Sequence, residues 1–166
     1  MLKGSLDLPN QSAHGLNCRE LLKGYCKEFM KAKRDFAKDI VVAIRDGKIL
    51  GIRAGTKPHR FIGIWAVVVE SRVFVRSWSM KPRSWWRTFL EEPRGIIEVE
   101  GRQIPVRAVF TRSERLKDAV DRAYAEKFNT PGSAHYVKGF AEKKRRDTTT
   151  ELVPEDGRQK AESRRQ

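Results

Sequence analysis

The chain has few of the residues that build disulfide frameworks and metal sites. Its 166 residues include only two cysteines and three histidines. On a single helix Cys18 and Cys26 would lie about 12 Å apart, which is too far for a disulfide bond. His14, His59 and His135 are far apart in sequence, and neither cysteine has a partner at ligand spacing. We therefore expect no metal site and a reduced, cytoplasmic protein.

Long apolar runs and the common catalytic motifs are also missing. No run approaches the roughly 20 apolar residues of a membrane span. The N-terminal stretch MLKGSLDLPNQSAHG lacks the apolar core and cleavage pattern of a secretory signal. There is no Walker loop, no Gly-x-Gly-x-x-Gly motif and no local Ser-His-Asp or Cys-His arrangement. The sequence thus predicts no membrane partner and gives no sign of the enzyme classes that these motifs mark.

Positive charge is what the chain has in excess, with a formal net charge of +14. Residues 40–140 carry 19 cations and 10 acids, a net of +9, so most of the excess lies in the central part rather than in a tail. A positive folded surface favours anionic partners such as phosphorylated small molecules, nucleic acids or acidic surfaces.

The hydrophobic pattern divides the chain into four segments. We predict a flexible N-terminus over 1–18, an amphipathic helix over 19–39, a folded domain over 40–154 and a disordered charged tail over 155–166. The helix is indicated by apolar residues at steps of three and four, which would share one face. These residues are Leu22, Tyr25, Phe29, Ala32 and Phe36.

Most of the folded domain has the pattern of strands. The stretch DIVVAIRDGKILGIR (39–53) predicts a hairpin that turns at Asp46-Gly47, and GTKPHR (55–60) predicts a loop. The apolar run Phe61–Val69 predicts one strand covered on both faces, by the barrel interior and by a second subunit or a helix. The stretches VFVRS, GIIEVEG, RQIPVRAVF and TTTELVP predict further strands.

Helices are expected between these strands. Pro82 and Pro93 bracket a helix over 82–91, with Trp85, Phe89, Trp86 and Leu90 on one arc. The pattern Thr111-x-x-Glu114 predicts a capping box that opens a second helix, whose inward stripe is Leu116, Val120, Ala123 and Tyr124. SAHYVKGFAEKKRR predicts a short helix. Antiparallel strands with inserted and flanking helices indicate an α+β fold built on a small barrel.

The stretch FVRSWSMKPRSWWRTF (74–89) interleaves tryptophans with cations. A helix start beside hydroxyls and cations suits an anion, and an indole nearby can stack on a planar ring. This combination predicts a phosphate clamp next to an aromatic wall, as a nucleotide-like or flavin-like ligand needs. The alternative is that Trp85 and Trp86 anchor the helix in the core while the arginines cover them.

The run from GIWAVVVESRVFVRSWSMKPRSWWRTFL to GRQIPVRAVF, followed by DAVDRAYAEKF and TTTELVP, resembles an uncharacterised bacterial family. That family is similar to the split-barrel, flavin-reductase-like group, which includes pyridoxamine-phosphate oxidases and deazaflavin-dependent nitroreductases. The resemblance covers about 40–154. It implies a six-stranded split β-barrel, often a homodimer, with FMN or a deazaflavin in a groove.

The resemblance also implies site residues. The segment GIRAGTKPHR stands where the deazaflavin enzymes carry a Gly-Arg-Lys-Ser-Gly-Lys type loop, but without the intact motif. Ser77 matches their strand-end serine, and Pro82 with Trp85-Trp86 matches their helix start. The expected cofactor-binding residues are Arg76, Ser77, Lys81, Arg83, Trp86 and Arg87, with Lys57 and Arg60 from the facing loop.

Three functions remain open on the sequence. The first is an oxidoreductase-like barrel whose flavin or deazaflavin carries the chemistry. The second is a nucleic-acid-binding module that uses the basic surface and exposed aromatic side chains. The third is a barrel without a cofactor that acts as a dimeric interaction protein. No catalytic residue and no substrate can be named from the sequence, because small barrels host many functions.

Overall fold

The structure is a computed structural model, and it describes residues 35–155. The expectations for residues 1–34, which include most of the amphipathic helix, and for residues 156–166 lie outside the described residues. The helices are α1 (Lys38–Asp46), α2 (Trp85–Glu91), α3 (Glu114–Lys127), α4 (Ala134–Phe140) and α5 (Lys143–Arg146). The strands are β1 (Leu50–Ala54), β2 (Ile62–Ile64), β3 (Ala66–Val69), β4 (Arg72–Val75), β5 (Arg94–Val99), β6 (Arg102–Phe110) and β7 (Thr150–Pro154).

The seven strands form one antiparallel sheet in the order β2-β1-β5-β6-β7-β4-β3. The two outermost strands, β2 and β3, are halves of one chain segment, separated only by Trp65. The sheet therefore curls until its ends meet, and six chain segments make a split barrel. The predicted α+β barrel is confirmed.

The prediction of one continuous strand over Phe61–Val69 is wrong. The segment changes partner at Trp65, pairing with β1 before this residue and with β4 after it. Ala66 and Val67 are buried, whereas Ile62 and Gly63 are exposed. Within the described residues nothing covers the outer face of β2, because the strand lies at the opening where the barrel splits.

The predicted hairpin over residues 39–53 is also wrong, because its first half is the helix α1. Ile40 and Ile44, four residues apart, are both buried and join the core of the barrel. The helix ends at Gly47, whose amide donates to the carbonyl of Ala43 at 2.8 Å. Asp46-Gly47 is thus a helix end, and the strand begins only at Leu50.

The other helices start or divide differently from the predictions. Helix α2 begins at Trp85 rather than Pro82, with Ser84 as an extended N-cap residue, and its Leu90 is 56% exposed. Helix α3 is capped by Ser113, whose hydroxyl accepts from the Leu116 amide, so the predicted Thr111 cap is wrong. The single helix predicted after it is the pair α4 and α5.

Two hydrophobic cores hold these elements together. The first fills the barrel and includes α1 and α2 through residues such as Ile44, Ile52, Val106 and Phe89. The second lies between the outer side of β3 and β4 and the helices α3 and α4. It contains the predicted inward residues Leu116, Val120 and Tyr124. The split of the barrel lies where the two cores meet.

The expected tail does not begin at Glu155. The Glu155 amide donates to the carbonyl of Pro105 at 2.9 Å, and its carboxylate accepts from Arg107 at 2.9 Å.

None of the helices in residues 35–155 has the length and apolar character that a bilayer span requires.

Candidate functional site

A groove with a volume of about 490 Å³ opens at the split of the barrel. This lies within the roughly 300–1,000 Å³ typical of small-molecule sites. We call it the aromatic groove, and its walls come from β2, the segment after β4, the start of α2 and the helix α4. It is lined by Ile49, Ile62, Gly63, Ile64, Trp65, Arg76, Trp78, Ser79, Trp85, Tyr136 and Phe140.

The aromatic side chains that line the groove pack against one another and against neighbouring rings. Trp65 stacks on Phe128 with ring centroids 4.1 Å apart and an interplanar angle of 7°, and its edge meets Tyr136 at 5.7 Å. Trp78 meets Tyr136 at 4.9 Å and Phe140 at 5.6 Å, both edge to face. Such pairs add stability beyond the area they bury, so the walls are set before a ligand arrives.

Trp78 is held from behind by α4 and α5. The guanidinium of Arg145 lies 4.0 Å from the Trp78 ring centroid, and its Nε donates to the Trp78 carbonyl at 3.1 Å. A Cβ added at Gly139 would lie 2.5 Å from Cζ3 of the Trp78 ring. Only glycine therefore allows α4 to approach the indole this closely.

Arg76 borders the groove, but its guanidinium is buried and bonded within the protein. Its side chain is fully buried and donates to Thr149 Oγ1 at 2.8 Å, to the Phe140 carbonyl at 3.0 Å and to the Lys117 carbonyl at 2.9 Å. It also pairs with the carboxylate of Asp121. All three guanidinium nitrogens are engaged, so Arg76 joins β4, α3 and α4, a role that the sequence analysis did not anticipate.

The backbone amide and the hydroxyl of Ser77 are also hydrogen-bonded within the fold. Its amide donates to Thr148 Oγ1 at 3.0 Å, and its hydroxyl donates to the Ser79 carbonyl at 2.8 Å. The Ser79 carbonyl also accepts from Nε1 of Trp86 at 3.1 Å. Ser77 and Trp86 thus hold the backbone of Ser79 at the groove wall, and the Ser77 hydroxyl does not face a ligand.

Five of the expected site residues are exposed cations: Lys57, Arg60, Lys81, Arg83 and Arg87. None of them forms an ion pair with an acidic residue in the described part of the chain. Arg87 lies over the ring of Trp86 at 4.8 Å. Most other arginines of the described residues are paired with carboxylates, so these five carry part of the positive charge that is available to a partner.

Three of these cations lie close in the chain to wall residues of the groove, although none of the three lines it. Lys81 follows the wall residue Ser79 by two positions, and Arg83 precedes Trp85 by two positions. Arg60 stands in the same relation to Ile62 on the facing strand. Two residues span at most about 7 Å between Cα atoms, so the Cα atom of each cation lies within this distance of a wall residue.

Lys57 lies in a second cavity, of about 370 Å³, between the 55–60 loop and α2. This cavity is also lined by Thr88, Glu91 and Glu92. Arg94 holds the pKa of Glu92 at about 2, so this carboxylate is ionised at neutral pH. Its acids make this cavity a poorer anion site than the rim of the aromatic groove, where no acidic residue forms part of the wall.

His59 orders the loop that carries Lys57 and Arg60. Its Nδ1 lies 2.8 Å from the Arg60 carbonyl and its Nε2 lies 3.0 Å from the Ala54 carbonyl. These two contacts connect the backbone on either side of the loop, at Ala54 and Arg60.

Sequence reasoning missed several residues of the groove. Trp78 belongs to the stretch FVRSWSMKPRSWWRTF, but the pattern of that stretch assigns no role to it, and no local pattern predicts Trp65 or Tyr136 as wall residues. The spacing of Tyr136 and Phe140, four residues apart on a helix, would have placed both on one face. No group of three or more histidine, cysteine, aspartate or glutamate side chains in residues 35–155 is arranged to hold a metal ion.

Three solved structures are similar to the chain at low sequence identity. A conserved hypothetical protein, Rv2991, from Mycobacterium tuberculosis is 12% identical, with a TM-score of 0.45 over 74% of this chain and 81% of its own. A structure described as a domain-swapped dimer is 12% identical, with a TM-score of 0.46 over 84% and 100%. An FMN-binding protein from Syntrophomonas wolfei subsp. wolfei is 10% identical, with a TM-score of 0.43 over 82% and 90%.

A comparison with curated proteins finds no match. A protein-family model, described as "Uncharacterized protein conserved in bacteria (DUF2255)", matches residues 39–152. This range includes the barrel from α1 to the middle of β7 and every residue of the aromatic groove. The chain therefore belongs to this bacterial family.

Proposed function

We propose that this protein binds a phosphorylated flavin-type cofactor, FMN or a deazaflavin, in the aromatic groove and works as an oxidoreductase-like split barrel. One observation carries the proposal: the groove is apolar, with five aromatic side chains and no acidic residue in its wall. The exposed cations Lys81, Arg83 and Arg60 each lie two residues along the chain from a wall residue and form no ion pair within the described residues. A planar ring with a phosphate tail needs this combination.

The residues divide into those that hold the ring and those that hold the phosphate. Trp65, Trp78, Trp85 and Tyr136 offer faces and edges to a planar ring and exclude water from one side of it. Lys81, Arg83 and Arg60 neutralise the phosphate at the rim. Arg87 and Lys57 extend the positive surface along α2 and the 55–60 loop.

The bound cofactor supplies hydride transfer, and the protein supplies position and charge. The fixed walls orient the ring, because Trp65 and Trp78 are packed on residues of α3 and α4. Arg76 and Ser77 support the site from inside the fold through their hydrogen bonds and do not touch the cofactor.

The same surface supports a homodimer. Ile49 and Ile62, at the rim of the groove, are 61% and 39% exposed, and Tyr136 is 45% exposed. A contiguous apolar patch of this kind on a monomer marks an interaction site. A second copy seated here would cover the open side of the groove. The Ile62→Asp variant should dissociate this dimer in light scattering, with Val109→Asp, at another exposed β-branched residue, as the control.

Fluorescence titration tests the cofactor. FMN, a deazaflavin and a short DNA duplex are titrated while tryptophan emission is followed, at low and moderate salt. We expect saturable quenching by a cofactor, with a loss of about 1.5–3 kcal/mol in binding free energy for Lys81→Ala or Arg83→Ala, the range of charge-assisted hydrogen bonds. Arg122→Ala, which removes an exposed cation on α3, is the matched control.

Two other results would reject the proposal. Duplex binding that collapses as salt rises, with no cofactor response, would identify a nucleic-acid surface, because counterion release makes such binding strongly salt-dependent. A flat response to every ligand would favour the barrel without a cofactor that acts as an interaction protein.

A further inference from the structure

One wall of the aromatic groove has a positive charge directly behind it. The Arg145 guanidinium lies 4.0 Å from the Trp78 ring centroid, and the Arg145 side chain is only 14% exposed. A cation on one face of an indole attracts the electron density of the ring's π-system. A ligand in the groove that touches Trp78 therefore meets a ring that is less electron-rich than a free tryptophan.

The nearby negative charge lies on the outer side of Arg145. The Glu142 carboxylate accepts from the Arg145 guanidinium at 2.6 Å, and Lys144 lies 3.8 Å from the same carboxylate. The Glu142 side chain is 53% exposed, so solvent screens it more than it screens Arg145. The Arg145 guanidinium therefore lies directly against Trp78, and the Glu142 carboxylate lies beyond it toward the solvent.

The rest of the groove adds no negative group. None of its wall residues is acidic, and the one charged wall residue, Arg76, is paired with Asp121 inside the fold. The Ser79 carbonyl already accepts two hydrogen bonds, from Ser77 and from Trp86. The environment is thus suited to a planar ring that carries negative charge.

We infer that Arg145, acting through Trp78, makes the aromatic groove select the reduced, anionic form of a flavin over the oxidised form. The inference rests on the proposed function, since it concerns the same groove. Two electrons and one proton convert the oxidised ring to this anion, and the tighter binding of the anion raises the reduction potential of the bound cofactor. Arg145 is a positioning residue in this role, because Trp78 stands between it and the ligand.

The test measures binding of FMN to the full chain in both redox states at one pH. Oxidised FMN is titrated in air, and FMN reduced with dithionite is titrated without oxygen, with tryptophan emission as the readout. We expect the reduced form to bind at least about tenfold more tightly, which corresponds to about 30 mV for a two-electron couple.

Three variants separate the role of Arg145 from mere support of the fold. Arg145→Met should bring the two dissociation constants close together. Lys144→Met removes a neighbouring cation of α5 that pairs with the same carboxylate but does not touch Trp78, so it should keep the preference. Glu142→Gln removes the screening carboxylate and should widen the preference, which a variant that merely loosened the fold would not do.

The outcomes are distinguishable. If neither form of FMN binds, the proposed function fails and this inference fails with it. If both forms bind with equal affinity, or if Arg145→Met keeps the full preference while its urea unfolding matches the unsubstituted protein, cofactor binding stands and this inference alone is overturned.

Discussion

The backbone amide of Arg76 donates to the hydroxyl of Tyr124 at 3.1 Å, and that hydroxyl donates to the carbonyl of Trp65 at 3.0 Å. One phenol thereby joins the end of β4 to the residue at which the β2–β3 segment changes partner. Burial raises the pKa of Tyr124, so the hydroxyl keeps its proton. The back of the aromatic groove is fixed by this bridge.

Removal of the Tyr124 hydroxyl should destabilise the protein. Tyr124→Phe leaves the buried amide of Arg76 and the Trp65 carbonyl without this partner, so the free energy of unfolding should fall by about 1–3 kcal/mol. Urea unfolding followed by circular dichroism measures it. Tyr136→Phe is the matched control, because the Tyr136 hydroxyl has no hydrogen bond within the described residues, and equal losses in both variants would contradict the prediction.

Replacement of Arg76 should be more damaging than replacement of any rim cation. Arg76→Met leaves Thr149 and two carbonyls without their donor and takes one partner from Asp121, so we expect a loss of about 3 kcal/mol or more in unfolding free energy. Arg83→Met, a change of the same type on the surface, should leave stability nearly unchanged while weakening ligand binding. A stable Arg76→Met variant would show that the buried network does not hold the fold together.

Gly139 should tolerate no side chain. Gly139→Ala drives a methyl group into the Trp78 ring, and overpacking of this kind costs about 1–3 kcal/mol. The indole would have to leave the groove wall, so thermal stability and FMN affinity should both fall. Gly132→Ala is the control, since a Cβ there meets no heavy atom within 4 Å. Matching melting temperatures for the two variants would contradict the packing argument.

Lys127 should make stability depend on pH in the alkaline range. Its Nζ donates to the carbonyls of Ile44 and Ala66 at 2.7 and 2.8 Å, and burial lowers its pKa to about 8 from the ordinary 10.5. Between these two values the unfolded chain binds a proton that the native protein does not, so the free energy of unfolding rises with pH. The stability that this deprotonation of Lys127 adds is fully present above about pH 10.5 and is lost as the pH falls through about 8.

The effect is measured as a difference between two proteins. Unfolding free energies of the unsubstituted chain and of Lys127→Met are compared at pH 7.5 and pH 10. The unsubstituted chain should gain on the order of 1 kcal/mol relative to the variant at the higher pH, after allowance for solvent screening of a half-exposed group. A difference that stays constant, or that moves the other way, would exclude Lys127 as the source.

Local pattern was enough to predict much of this protein. Strands β4 to β7 follow from alternating or continuous apolar residues between turn residues, and the inward face of α3 follows from its 3.6-residue period. The exposure of Lys81 and Arg83 follows from their charge, because an unpaired cation is rarely buried. Each of these features depends on residues only a few positions apart, which the sequence displays directly.

The candidate site depended on contacts that no local pattern contains. Arg76 sits in a stretch rich in cations, yet its partners lie 41 to 73 residues away, and only the closed barrel brings them together. The β-branched residues of α1 favour a strand, but the helix prevails because Ile40 and Ile44 complete the barrel core. The sequence by itself determined the barrel and its positive charge. Tertiary packing decided which cations are free of ion pairs, and it opened the aromatic groove at Trp65. The ion pairs and the groove were not predictable from local pattern, because each is built from side chains that are far apart in the sequence.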